Sequence, residues 1–213
     1  MDANTDFIIK KRLTKTAENL KKNNITPHII DNLEELHKTI KTLISPNDIV
    51  ALGGSMTLFE TGVIDLLRNG DYKLLDRYEK GLNPEDIRKI FLNSFYSDAY
   101  FTSTNALTTD GVLYNIDGTG NRVAAMLYGP KKVIVIVGVN KIVNNLDEAE
   151  NRLRNFTAPA NARRLNLKTP CASTGICSDC DSPDRICSDF VMIKRQRTPN
   201  RMHVLLLKDA YGY

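Results

Sequence analysis

All four cysteines of the chain, Cys171, Cys177, Cys180 and Cys187, fall within the stretch CASTGICSDCDSPDRIC. Thiolates bind soft and borderline metals, and the spacing here is C-x5-C-x2-C-x6-C. Cys177 and Cys180 form a C-x-x-C pair, which lets two thiolates on one turn reach a common ion. Gly175, Asp179, Asp181 and Ser182-Pro183 are turn formers, so the loop can fold back on a centre. A structural zinc site normally uses two such knuckles separated by about a dozen residues or more. Here one knuckle is flanked by single, nearby thiols. That is closer to the wrapping of an iron–sulfur cluster, although it matches neither common ferredoxin spacing. The expectation is a [4Fe–4S] cluster on all four cysteines, with zinc as the alternative. If only three ligate, Cys171 or Cys187 is the free thiol, and an open iron can act as a Lewis acid. A redox disulfide between Cys177 and Cys180 leaves the outer pair unexplained.

A second constellation is VALGGSMTLFETG, residues 50–62. A buried strand that ends in Gly53-Gly54-Ser55 and opens a helix suits an anion, because glycines let backbone N–H groups approach it and the helix dipole favours negative charge. Ser55 and Thr57 add hydroxyls. The pattern is neither a Walker loop nor a full G-x-G-x-x-G, and Gly-Gly-Ser also makes an ordinary strand-to-helix turn. The polar turns STNALTTDG and NIDGTGNR supply Thr104, Asn105, Thr108, Asp110, Asp117, Thr119 and Asn121 for a pocket at strand ends, while Asp-Gly is equally a routine hairpin turn. Glu60 lies about one helical turn beyond Ser55. Glu60 and Asp110 are the candidate bases or nucleophiles; the ligand-binding candidates are Gly53, Gly54, Ser55, Thr57, Asn105 and Asp117. His28, His37 and His203 show no ligand spacing to one another, and His203 is expected near the cysteine loop in a structural role.

Composition narrows the setting. Of 213 residues, 42% are apolar and 25% charged, the balance of a globular domain with a core of its own. The opening MDANTDFIIKKRLTK has no apolar signal run, and the longest apolar stretch, VIVIVGV, has strand length, so neither a secretory signal nor a membrane span is expected. A cytoplasmic setting follows, where thiols stay reduced and a cysteine cluster more often binds metal than forms disulfides. Residues 151–213 carry 11 Lys+Arg against 5 Asp+Glu, whereas the rest carries 18 against 20. The basic excess therefore surrounds the cysteine loop. It offers an anionic-ligand surface or offsets thiolate charge; without interleaved aromatics it argues against nucleic acid.

The elements that must position these residues alternate. Helical spacing covers 5–22, NLEELHKTIKTLI (capped by Asn32, with Glu35 three residues on), SMTLFETGVIDLLRNG, NPEDIRKIFLNSFYSD, GNRVAAMLYG and the charged NLDEAENRLRNFTAPANARRLN. Strand patterns cover ITPHIID, IVALGG, YKLLDR, residues 133–138 and RMHVLLLKD, with hairpins in the middle of the chain. This predicts one α/β domain over 1–213, with a mostly parallel central sheet flanked by helices and a metal-binding loop at 168–190.

The stretches DIVALGGSMTLFETGV, FTSTNALTTDGVLYNIDGTGNRVAAMLYGPKKVIVIVGVNKIV and APANARRLNLKTPCASTGICSDCDSPDRIC resemble the LUD-domain family, the lactate utilization proteins. The resemblance runs from about residue 5 to the end. It implies a fold similar to the sugar-phosphate isomerase and coenzyme A transferase-like α/β fold, with Gly53, Gly54 and Ser55 in its ligand loop. It also implies a role in oxidising lactate to pyruvate beside iron–sulfur partner subunits. The functional expectation is an iron–sulfur protein of small organic-acid oxidation, acting as an electron-transfer or substrate-binding subunit. The alternatives are a zinc-stabilised module binding an anionic metabolite, and a non-redox isomerase or transferase using Glu60 or Asp110.

Overall fold

The computed structural model describes residues 2–213. In chain order its elements are α1 (Ala3–Lys22), β1 (Thr26–Ile30), α2 (Leu33–Leu43), β2 (Ile49–Leu52), α3 (Met56–Glu60), α4 (Val63–Arg68), β3 (Lys73–Leu75) and α5 (Pro84–Asn93). There follow β4 (Ala99–Thr102), β5 (Ala106–Thr108), β6 (Leu113–Asp117), α6 (Asn121–Leu127), β7 (Lys132–Gly138) and β8 (Ile142–Val143). The chain closes with α7 (Leu146–Arg152), α8 (Ala158–Arg164), α9 (Pro170–Thr174), β9 (Asp189–Ile193) and β10 (Met202–Leu207).

Six strands form one sheet in the order β1-β10-β7-β4-β2-β3, with every pairing parallel. Parallel strands are covered on both faces, which is why they read as unbroken apolar runs. Successive side chains point to opposite faces, and the core divides accordingly. Val133, Val135, Val137, Val204 and Leu206 pack with Leu13 and Leu20 of α1 and Met126 of α6. Ile134, Ile136, Leu205 and Leu207 pack on the opposite face with Leu36 and Ile40 of α2, Leu58 of α3 and Ile64 and Leu67 of α4. A second, four-stranded sheet, β8-β5-β6-β9, lies on the α1 side, sharing its core through Leu107, Leu113 and Ile193.

The expected architecture is present, and several local expectations change. The helix expected over 55–70 breaks in two, because Gly62 takes a left-handed φ of 68° and the His37 ring bonds the Thr61 carbonyl at 2.8 Å. Pro159 has no N–H to donate, and just before it the charged helix widens into a π turn at Leu153–Thr157. Asp110-Gly111 turns β5 into β6 with Gly111 at φ 81°, whereas Asp117-Gly118 makes no hairpin. There Asp117 Oδ1 accepts the N–H groups of Thr119 and Gly120 and leads the chain into α6. The strand β9 carries no alternation strong enough to stand out in sequence. His203 sits beside His28 on neighbouring strands, not at the cysteine loop: their rings stack, and His28 Nε2 lies 3.1 Å from His203 Nδ1.

The central strand β10 bears on both cores, so truncating it tests the layering. Leu205 is fully buried, and Leu205→Ala is expected to cost about 2–5 kcal/mol in chemical denaturation. A loss below about 1 kcal/mol would mean that the site is not packed as described.

Candidate functional site: a cationic cavity at the strand ends

Three adjacent parallel strands deliver their following residues to one end of the sheet. Beyond β2 come Gly53-Gly54-Ser55, beyond β4 Ser103-Thr104-Asn105, and beyond β7 Lys141. Open α/β sheets bind ligands in such a crevice, outside the carboxyl ends of their strands. Here it holds a cavity of about 260 Å³, bordered among others by Gly54, Ser55, Arg77, Asp117, Lys141 and Tyr213.

Arg122 organises this mouth. It is 8% exposed, on the first turn of α6, and all five of its N–H donors find protein acceptors. Nε pairs with Asp117 Oδ2 at 3.3 Å. Nη1 donates to the Ser103 carbonyl at 3.1 Å and Asn115 Oδ1 at 2.8 Å. Nη2 donates to Asn105 Oδ1 at 2.9 Å and the Ile116 carbonyl at 2.7 Å. Burial lowers its pKa, with Asp117 opposing that shift. The guanidinium thus ties the loop after β4 to β6 and α6, and it has no donor left for a ligand. Asp117, with one oxygen on Arg122 and the other on two backbone N–H groups, is equally committed.

Lys141 is the unbalanced charge. It is 2% exposed, and Nζ donates to Thr57 Oγ1 at 2.8 Å and Ser103 Oγ at 3.1 Å. Among the described residues no carboxylate pairs with it directly. Burial first, then the positive fields of Arg152 and Arg122, push its pKa down from 10.5 to about 7, while Glu60 partly opposes them. Burial also lowers Arg152 to about 10. Arg77, another lining cation, is held by stacking 4.6 Å from the centre of the Phe91 ring and 5.5 Å from that of Tyr78. Ser55 Oγ is buried without a hydrogen-bond partner in the described residues, although an orphaned buried hydroxyl is costly.

The sequence candidates sort clearly. Gly54, Ser55, Thr104, Asn105, Asp117, Thr119 and Asn121 border the cavity. Thr57 enters through its bond to Lys141. Gly53 has a packing reason: a Cβ there would lie 2.8 Å from Thr102 Oγ1 and 2.9 Å from the Tyr100 hydroxyl. The α3 helix is only five residues long, so its dipole contributes less than the expected longer helix would. Asp110 is exposed at the β5–β6 turn, where its carbonyl accepts from Asn23 at 2.9 Å, and it is absent from the cavity lining. Glu60 is exposed, its Oε2 accepting the Gly212 N–H at 2.6 Å. The segment 209–213 thereby becomes a wall: Thr57 donates to the Tyr211 carbonyl and Asn140 to that of Gly212. Sequence reasoning missed Arg77, Ser103, Arg122, Lys141 and Tyr213. The one usable signal was a charged residue set close against an apolar run, Lys141 after VIVIVGV and Arg122 beside VAAML.

The cysteine loop abuts the same mouth, with Ile186 bordering the cavity and the Ser188 N–H bonded to the Asp117 carbonyl at 3.0 Å. Arg185 holds its turn, donating to the Cys187 carbonyl at 2.9 Å, the Cys180 carbonyl at 2.7 Å and Asp179 Oδ1 at 2.8 Å. All four thiols are free and half-buried, and burial raises the Cys187 thiol against the field of Arg185. Cys171 turns to Thr169 Oγ1 at 3.4 Å. Among the described residues no three Cys, His, Asp or Glu side chains are gathered to hold a metal ion. In this arrangement the loop does not fit the expected cluster.

The sequence matches the LUD-domain model over residues 13–207. The chain belongs to the LUD-domain family. Membership relates it to lactate utilization, the activity behind the family's name. A DUF162 family protein from Deinococcus radiodurans is similar in structure, with TM-score 0.52 over 93% of this LUD-domain chain and 98% of that one, at 14% identity. At that identity the likeness shows the fold alone. Slighter likenesses, each with TM-score 0.38, reach eIF2B beta from Chaetomium thermophilum and a malonate decarboxylase alpha subunit from Acinetobacter baumannii. The first is 14% identical over 53% of this chain and 43% of that one; the second is 11% identical over 98% and 38%. Neither carries an argument. Among curated proteins the sequence has no match. No described helix is long and apolar enough to cross a membrane.

Two measurements follow from the buried cations. Arg122→Lys keeps the charge but cannot reproduce five directed bonds, and is expected to cost about 1–3 kcal/mol for each buried acceptor left unsatisfied. For Lys141 the folded pKa lies below the unfolded one. The cost of burying the ammonium is therefore full below pH 7 and is relieved as pH rises from about 7 towards 10.5, by at most about 1.4 kcal/mol per pH unit. Denaturation midpoints should rise over that window in the wild type. In Lys141→Met the rise should vanish, and the variant should be the more stable protein at pH 7.

Proposed function

We propose that this LUD-domain protein holds a small organic anion in the strand-end cavity, as the substrate-binding component of a lactate-type oxidation. One observation supports the anion above all. Lys141 is a buried cation without a direct carboxylate partner, facing a cavity that also presents Arg77 and the unpartnered Ser55 hydroxyl. Burying an ammonium without a counter-charge is expensive, and a bound carboxylate supplies both the charge and the hydrogen-bond acceptors. The volume suits a molecule of lactate's size; drug-sized ligands take cavities of about 300–1,000 Å³. Asn105, whose oxygen is spent on Arg122 and on the Ile116 N–H, offers its amide hydrogens to the same ligand.

Of the two acids read from sequence as bases, Glu60 is the one whose field reaches Lys141, and in this reading it tunes the amine. The oxidation itself is inferred from the family, and the electron acceptor is assigned to iron–sulfur partner subunits. Anion binding needs nothing from the cysteine loop, so cluster loading is a separate question. Anaerobic reconstitution with iron and sulfide answers it. Uptake that Cys177→Ser abolishes would mean that the loop refolds to gather its thiols, and no uptake would leave the loop to its hydrogen bonds and ion pairs, those of Arg185 among them.

The binding reading predicts heat on titrating the protein with lactate, pyruvate or other short carboxylates at pH 6.5. Affinity should weaken above about pH 7 as the ammonium is lost. Lys141→Met should weaken it at least tenfold while the fold is retained. Indifference to every short carboxylate, or unchanged binding in the variant, would sink it.

A further inference from the structure

Lys141 is built for more than charge balance. An ammonium has three hydrogens, and two point at Thr57 Oγ1 and Ser103 Oγ. In this arrangement each hydroxyl directs its own proton elsewhere. That of Thr57 goes to the Tyr211 carbonyl at 3.2 Å, and that of Ser103 to the Thr104 carbonyl at 3.2 Å. While both hydroxyls keep those bonds and accept from Lys141, the lone pair of the neutral amine takes the third position, away from them. The residue borders the cavity, and that is where a third partner has room. A buried amine whose lone pair is withheld from its protein neighbours is an activated nucleophile, and lysines are activated in this way by desolvation and by nearby cations.

We propose that Lys141 is a covalent site: its Nζ condenses with the carbonyl carbon of a small oxo compound that carries a carboxylate or phosphate. The proposal rests on the anion-binding reading of the same cavity. In the step, the nitrogen lone pair forms a C–N bond and the carbonyl π pair moves to oxygen, which takes up a proton while the nitrogen gives one up. Loss of the second nitrogen proton and of the hydroxyl as water leaves C=N. No oxidant or reductant is consumed. Ser55, which borders the same cavity and whose hydroxyl is free of protein partners, is the candidate donor to the departing oxygen. The charged groups acting on the amine are Arg152 of α7, Arg122 of α6 and Glu60 of α3. Their net effect, added to burial, leaves a large neutral fraction at physiological pH.

Borohydride trapping of the full chain tests this directly. The protein is incubated with pyruvate or with dihydroxyacetone phosphate, reduced, and mapped by peptide mass spectrometry. The expected result is one adduct per chain on the peptide containing Lys141, with a rate rising through about pH 7 and no adduct at that peptide in Lys141→Met. Which of the two compounds traps faster identifies the anionic group. The pH trend is opposite to that of lactate, which has no ketone and needs the charged amine. Adducts scattered over surface lysines with Lys141 untouched would overturn the covalent site. If lactate still binds in that case, the anion reading stands alone; if lactate and pyruvate both fail to bind, the two fall together.

Discussion

The mouth of this domain is organised around one buried guanidinium. Arg122 reaches from the start of α6 to the point where the end of β4 and the strand β6 meet, and its donors find acceptors on both. A guanidinium presents those donors in a fixed planar fork, so satisfying them leaves little freedom to the peptide groups it holds. Ser103, Asn105 and Asp117 are fixed in this way. Ser103 in turn provides one of the two hydroxyls that orient Lys141. The cavity therefore owes its shape to a charge that has no donor left to offer it.

This division between two cations gives the site its chemistry. Arg122 is paired with Asp117 and its donors are taken up by the protein, so it acts on the cavity only through its field on Lys141. Lys141 has hydroxyl neighbours only, and it answers burial by giving up its proton near neutrality. Protonated, it attracts an anion; neutral, it is a nucleophile. Both proposals rest on this poise, and Glu60, bridging to the segment 209–213, helps to set it.

The cysteine loop is joined to the same structure without sharing its organisation. It meets the mouth through Ile186 and Ser188, and its turn is closed by Arg185 and Asp179 rather than by converging thiols. The basic excess of the C-terminal third is partly explained at this point. Arg154 and Arg185 both reach Asp179, and Arg164 borders the cavity. These cations serve loop and pocket together, which a count of charges along the chain does not separate.

Much of the fold was legible because it depends on local patterns. Apolar runs long enough for strands but too short for membrane spans marked the parallel sheet, and Asn32 announced a helix start that its side chain does cap. The Gly53–Ser55 and Thr104–Asn105 turns were found for a similar reason: chain ends of parallel strands must turn, and turns are written in glycine and small polar residues. The sequence did not disclose which charged residues the fold buries. Lys141 and Arg122 look like ordinary surface charges in their own segments. Only the pairing of β7 with β4 and of β4 with β2 brings Lys141 to Thr57, 84 positions away, and takes it out of water. Composition and spacing determined the layers of this protein and its store of thiols. Tertiary structure decided which cation is paired, which is left free, and hence where chemistry is possible, because desolvation and hydrogen-bond saturation are properties of neighbours in space.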